Sequence, residues 1–308
     1  KMQHKPRIGF TIIELIIVIA IIGILVGILY PAIAGGRKQA MKVRELALAS
    51  QVGKAWSMYT SDHLGKLLTG YISTEAQEYR DLAWALPNED LVPPAPNYLT
   101  SSPNDAGPWT WRLMSYLEND WRSITPHLEL SEFTDESEYD NVQIIAEEPA
   151  FGYNGYYLGG WEELDTHSQK PTSLFSSVRL TDGTRENVVT KIHSGIRRTN
   201  HQIVFCSTFL AEPGIYSEMG DHTPGTYMAI PSVLARFKKW ELLIGGEIEA
   251  HANTYAPLGR FNGMPAVHFA DGSSKAMEIS ELLDQSKWIS KARTIGDISA
   301  SNFSHTID

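Results

Sequence analysis

The sequence predicts an α+β fold: one long N-terminal α-helix packed on a mainly antiparallel β-sheet head with long loops. Three features of its 308 residues point there. Residues 10–34 are an apolar run broken by one carboxylate, Glu14. Residues 35–61 continue with apolar side chains at helical spacing, and the C-terminal half is a series of aromatic and β-branched runs bounded by turn residues. With 43% hydrophobic residues and a mean hydropathy of -0.20, the apolar character is concentrated at the N-terminus and the remainder has the composition of a soluble domain.

The apolar run is about 37 Å long as a helix, enough to cross a bilayer core of about 30 Å. Three readings fit it. The first is a plain single-pass anchor, with Lys1, Lys5 and Arg7 before it favouring a cytoplasmic N-terminus and Arg37, Lys38, Lys42 and Arg44 after it weakening that count. The second is a cleaved secretory signal ending at the small residues Ala32 to Ala34, although its apolar region is longer than such signals use. The third accounts for Gly9, Phe10 and Glu14 together. A carboxylate inside a membrane helix costs about 2.5 to 3.5 kcal/mol at mid-bilayer and less near an edge, so it calls for a cation. Cutting between Gly9 and Phe10 creates one, because the new α-amino group lies one helical turn from Glu14 and is largely protonated at neutral pH. A glycine before the cut also lets a protease hold the extended backbone closely.

These residues, "GFTIIELIIVIAIIGIL", resemble the N-terminal motif of the type IV prepilin family, including the pseudopilins of type II secretion. The resemblance implies that a membrane prepilin peptidase cleaves after Gly9 and methylates Phe10, and that Glu14 serves assembly by registering the subunit against a neighbour's amine. It also implies division into a leader (residues 1–9), a transmembrane helix (10–34), an amphipathic extension (35–61) and a pilin-like head (62–308). The implied partners are other pilin or pseudopilin subunits, the prepilin peptidase, the inner-membrane assembly platform and the membrane itself. The N-terminus would be cytoplasmic and the head periplasmic or extracellular.

Beyond the span, Pro31 should kink or loosen the helix without ending it, since good helix formers resume at Arg37. Val43, Leu46, Ala49, Gly53, Trp56 and Thr60 then recur every three or four residues, a face expected to pack against the chain's own head. "SDHLGK", residues 61–66, supplies the stop. Residues 62–150 read as irregular, with "LVPPAPNYLTSSPNDAGPW" too rich in Pro, Asn, Ser and Gly for a long helix or central strand.

In the C-terminal half, "FGYNGYYLGGW", "IVFCSTFL", "GTYMAI" and "PAVHFADGSSKAMEI" carry strand signals. The last is the clearest hairpin: Asp271 and Gly272 sit between two strand-like runs, and this pair favours the positive backbone angles of tight turns. His268 is then a strand side chain. "GRFNGMPAVHFADGSS" also resembles a C-terminal processing-associated motif of large prepilin-like proteins, a His, nine residues and Asp-Gly. Phe261 stands at the His position, so nothing that depends on that histidine carries over.

A net charge of -10 and a pI near 5.5 argue against nucleic-acid binding, which needs clustered cations. The single cysteine, Cys206, excludes an intramolecular disulfide and reads as a buried, inert thiol in an apolar run. Between Arg122 and Lys170 eleven carboxylates occur with no Lys or Arg; calcium could use such oxygens, but no EF-hand spacing is present, and the expectation is no cofactor and no metal. Walker, H-E-x-x-H, nucleophile-elbow and dinucleotide motifs are all lacking, and the histidines show no metal-ligand spacing. The sequence therefore points to a non-enzymatic subunit of a type IV pilus-like or type II secretion pseudopilus filament. A membrane-anchored binding or adhesive minor pilin head, and a secreted hydrolase, are the alternatives.

Overall fold

The computed structural model describes residues 12–72, 76, 79, 109–118, 120, 124–125, 149–165, 167–174, 177–179, 185–208, 225–229, 257, 259 and 263–290. One helix, α1 (Ile12–Asp62), dominates it and passes through Pro31 without interruption. The predicted stop is where α1 ends. Leu64 and Gly65 adopt the left-handed conformation, with φ of 56° and 82°, and the Gly65 amide donates to the Thr60 carbonyl at 2.8 Å. That is how a helix C-terminus satisfies its orphan carbonyls.

The central sheet is antiparallel and four-stranded, in the order β2 (Phe151–Tyr153), β7 (Ile203–Ser207), β8 (Ala266–Phe269), β9 (Ser274–Ala276). A smaller mixed sheet orders β1 (Tyr71–Ile72), β3 (Trp161–Leu164) and β4 (Pro171–Leu174), with β1 parallel to β3, and β5 (Ser177–Arg179) pairs with β6 (Arg185–Asn187). The fold is thus α+β, as the sequence predicts. Two expectations need correcting. "GTYMAI" forms no strand among its described residues; its Met228 makes only an isolated bridge to Tyr153, through the Ala229 amide and the Tyr227 carbonyl. And the span read as irregular holds a short helix, α2 (Trp109–Met114), extended by a tight turn over Ser115–Leu117.

The core lies between α1 and the four-stranded sheet. Ala49, Val52, Trp56 and Tyr59 of α1 meet Phe151, Tyr153, Val204 and Phe205, and Trp109, Leu113, Met114 and Leu117 close one side. The Trp109 ring meets Phe205 edge-on at 5.0 Å, a favoured geometry for aromatic pairs. Cys206 is fully buried in β7, as expected.

Candidate functional site

The N-terminal half of α1 is a bare apolar stem. From Ile12 to Ala40 every residue is exposed, including Ile24 at 65%, Ile28 at 70% and Tyr30 at 75%. An aliphatic surface of this length does not stay in water. Among the described residues, α1 is the one helix long and apolar enough to span a membrane, and the stem suits it to membrane anchoring. Glu14 lies exposed in the first turn, where a carboxylate also complements the helix dipole. Gly9 and Phe10 lie outside the described residues. Gly23 and Gly27, one turn apart, give the stem a small-residue notch in which an added Cβ would meet nothing.

Burial begins abruptly at Glu45 and continues through Ala49, Val52, Gly53, Ala55, Trp56, Tyr59 and Thr60. Most of the predicted stripe is covered by the head. Val43 is not, at 56% exposed, because at 100° per residue it lies on the side of α1 opposite Val52, while its neighbour Lys42 is half-buried. The closest seat is between Gly53 and His268 of β8. A Cβ built on Gly53 would fall 1.9 Å from Nε2 of that imidazole, so the glycine is what lets helix and strand approach. His268 is fully buried; its Nδ1 is 2.8 Å from Ser274 Oγ on β9, and Nε2 has no hydrogen-bond partner. Donation from Nδ1–H to Ser274 leaves only a lone pair unsatisfied on the helix side, which makes neutral imidazole the fitting form. Burial accordingly pushes His268 down to about 4, with Asp271 opposing and Lys54 reinforcing.

Asp271 and Gly272 form the turn beneath this histidine. The Gly272 amide donates to the Phe269 carbonyl at 3.0 Å, the Phe269 amide to Ser273 at 2.9 Å, and Gly272 alone takes positive φ, 90°. The connection is therefore a three-residue turn with a left-handed glycine rather than a two-residue one with both angles positive. The Asp271 carboxylate accepts from the Ser273 amide at 2.9 Å and its hydroxyl at 2.7 Å. Burial would raise its pKa, but these bonds and the neighbouring His268 hold it below the ordinary carboxylate value. The turn also ties to the rest of the head, since the Ala270 amide donates to Gln202 and the Asp271 amide to Thr199.

The C-terminal described segment is fastened to the same sheet. Asn154 Nδ2 donates to the carbonyls of Ile203 (3.0 Å) and Trp288 (2.8 Å), and Gln202 Nε2 donates to Trp288 (2.7 Å). Beside it His201, Asp284 and Ser286 come together, but not as a nucleophilic triad. The Ser286 hydroxyl donates to Asp284 at 2.6 Å, and both oxygens face the same imidazole nitrogen, 3.0 Å from Ser286 and 3.6 Å from Asp284. The serine proton is thus directed to a carboxylate instead of a base, whereas a triad has the serine and the carboxylate on opposite ring nitrogens. Lys287 completes a salt bridge to Asp284 at 2.9 Å. Burial would raise Asp284, yet the Ser286 and Lys287 hydrogen bonds outweigh it and hold it at about 2.

Most of the acidic stretch before Lys170 lies outside the described residues; of those within, Glu162 is 3.1 Å from Lys191 and Asp165 accepts from the amides of His167 and Ser168. Among the described residues, no group of three or more His, Cys, Asp or Glu is arranged to hold a metal ion. The predicted site residues do not form one cluster. Glu14 and the His268 seat are some 58 Å apart along α1, at 1.5 Å per residue over the helix between Glu14 and Gly53.

Residues 5–30 match the family model described as the prokaryotic N-terminal methylation motif. No curated protein and no solved structure matches the chain. The motif and the stem coincide, since the matched residues run into the exposed apolar half of α1, as in a type IV pilin-like N-terminus. The motif points to a structural subunit rather than an enzyme.

Proposed function

We propose that the protein is a filament subunit of a type IV pilus-like or type II secretion pseudopilus assembly, cleaved by prepilin peptidase after Gly9 and methylated on Phe10. The single observation that carries this reading is the division of one unbroken helix. Its first half bears the methylation motif and is exposed and apolar; its second half is built into the head. Such a helix can pass from a bilayer into a bundle of identical helices with little change in its surroundings, because lipid tails and aliphatic side chains are similarly apolar. Glu14 and the amine released at Phe10 would then neutralise one another across subunits, lowering the cost of both charges in a dry core.

The test is the mass of the mature N-terminus together with two variants. N-methyl-Phe10 is expected. A chain starting at Gly35 would indicate signal cleavage, and an unprocessed leader would indicate a plain anchor. Gly9→Val should leave an unprocessed chain. Glu14→Ala should be cleaved normally but absent from sheared filaments, and its normal incorporation would overturn the assembly role.

A further inference from the structure

The stem carries a second feature that filament packing does not use. No Asp or Glu occurs between residues 15 and 44, and Arg37, Lys38, Lys42 and Arg44 fall within eight positions at the end of that stretch. Arg37, Lys38 and Arg44 are exposed, while Lys42 is half-buried with Nζ 3.5 Å from Met264 Sδ of the head. Because α1 is continuous, axial positions follow from its rise. The exposed apolar run from Ile12 to Ile33 spans about 33 Å, the thickness of a hydrocarbon core. Arg37 and Lys38 then lie about 6 to 8 Å past its end, at the outer part of a headgroup layer about 5 to 8 Å deep, and Lys42 and Arg44 about 14 to 16 Å past it, outside that layer but within about a Debye length of its surface. Tyr30, three-quarters exposed in the last apolar turn, occupies the depth at which aromatic side chains mark a membrane interface.

Around the helix, Arg37 and Arg44 continue the face of Tyr30 within about 40°, whereas Lys38 and Lys42 are turned about 80° to 120° from it. Cations thus flank the stem on more than one side, which suits a surrounding layer of phosphates better than a single protein stripe. We propose that Arg37, Lys38, Lys42 and Arg44 form a cationic collar that binds the phosphates of anionic phospholipid headgroups where the helix leaves the membrane. The collar rests on the reading of residues 10–34 as a membrane span. It would hold the subunit at a fixed depth, with the head clear of the surface, until it is taken up. The charge distribution supports this: residues 1–61 hold eight Lys and Arg against two Asp and Glu, while the remainder holds eighteen against thirty-four. An anionic surface attracts the stem and repels the head.

The experiment is native mass spectrometry of the full chain in mild detergent, titrated with phosphatidylglycerol or phosphatidylcholine. Each cation near an anionic surface strengthens binding about fivefold, so the chain should prefer phosphatidylglycerol by about tenfold or more, falling as salt is raised. Replacing all four residues by Gln should lower that preference at least about fivefold, to what the leader cations Lys1, Lys5 and Arg7 supply, whereas the charge-preserving Arg37→Lys/Arg44→Lys pair should retain it. Equal preference in the native chain and the Gln variant overturns the proposal. So does loss of self-association in the Gln variant, read by sedimentation in the same detergent, with lipid preference unchanged; that result would assign the collar to the acidic head of a second copy. The mass of the mature N-terminus judges the filament reading separately, since a plain anchor would keep the collar.

Discussion

The two halves of α1 obey opposite rules although they are one helix. Between Ile12 and Ile33 the side chains are nearly all aliphatic and nearly all exposed; between Glu45 and Thr60 they are mixed, and the packed face is specific down to a single glycine. A surface meant for lipid or for like helices needs only to be apolar, so it tolerates exchange among Ile, Leu and Val. A surface meant for one sheet must match it in shape, so it holds Trp56 against the core and Gly53 against His268.

Substitutions that should separate the halves can be ranked by size. Trp56→Ala should cost the head about 3 to 5 kcal/mol, the range for truncating a large buried aromatic, read from urea unfolding in detergent. Ile24→Ala, exposed on the stem, should leave that unfolding curve within about 0.5 kcal/mol of the native one. Equal effects would mean that the stem packs on the head after all. Gly53→Ala should cost about 2 to 3 kcal/mol despite a helix-propensity gain of about 1 kcal/mol, because the imidazole must leave its seat. Adding His268→Ala should recover much of that loss, which a purely local effect at residue 53 would not allow.

Acid should act on the seat and spare the stem. The unfolded chain protonates His268 near 6.5 but the native head only near about 4. The stabilisation from keeping it neutral is complete above 6.5, and about 3 kcal/mol of it disappears as the pH falls through that window. Asp284 adds a lower window, since its stabilisation holds above 3.8 and is lost as the pH falls towards about 2. In His268→Asn the slope between pH 6.5 and about 4 should become much shallower, with His201, which burial also holds below 6.5, supplying what remains; an unchanged slope would assign the acid sensitivity elsewhere. A further small effect should be a gain. Leu64 is 92% exposed with φ of 56°, so Leu64→Gly should stabilise the head by about 1 kcal/mol by relieving a left-handed leucine, measured on the same unfolding curves.

Much of this was readable along the chain. The helical stop at residues 61–66, the strand at Ile203–Ser207 and the hairpin at Asp271-Gly272 are local signals, and each element forms where its turn chemistry and periodicity place it. The short helix α2 was legible too: Trp109, Leu113, Met114 and Leu117 have helical spacing, but the Pro-rich residues before them drew the whole stretch into a loop. "GTYMAI" has strand composition and still pairs through only one bridge among its described residues, because β-propensity reflects the neighbours a strand finds rather than the strand alone.

The sequence by itself determined that the N-terminus is a motif-bearing apolar helix, because a long aliphatic run and a lone carboxylate are physical statements that need no partner to be understood. Only the tertiary structure decided where that helix stops being a stem. Glu45 buried, Val43 exposed and Gly53 against His268 are set by where the sheet meets α1. That contact joins residues more than two hundred positions apart, and periodicity, which reads each segment against itself, contains no information about which distant strand will cover it.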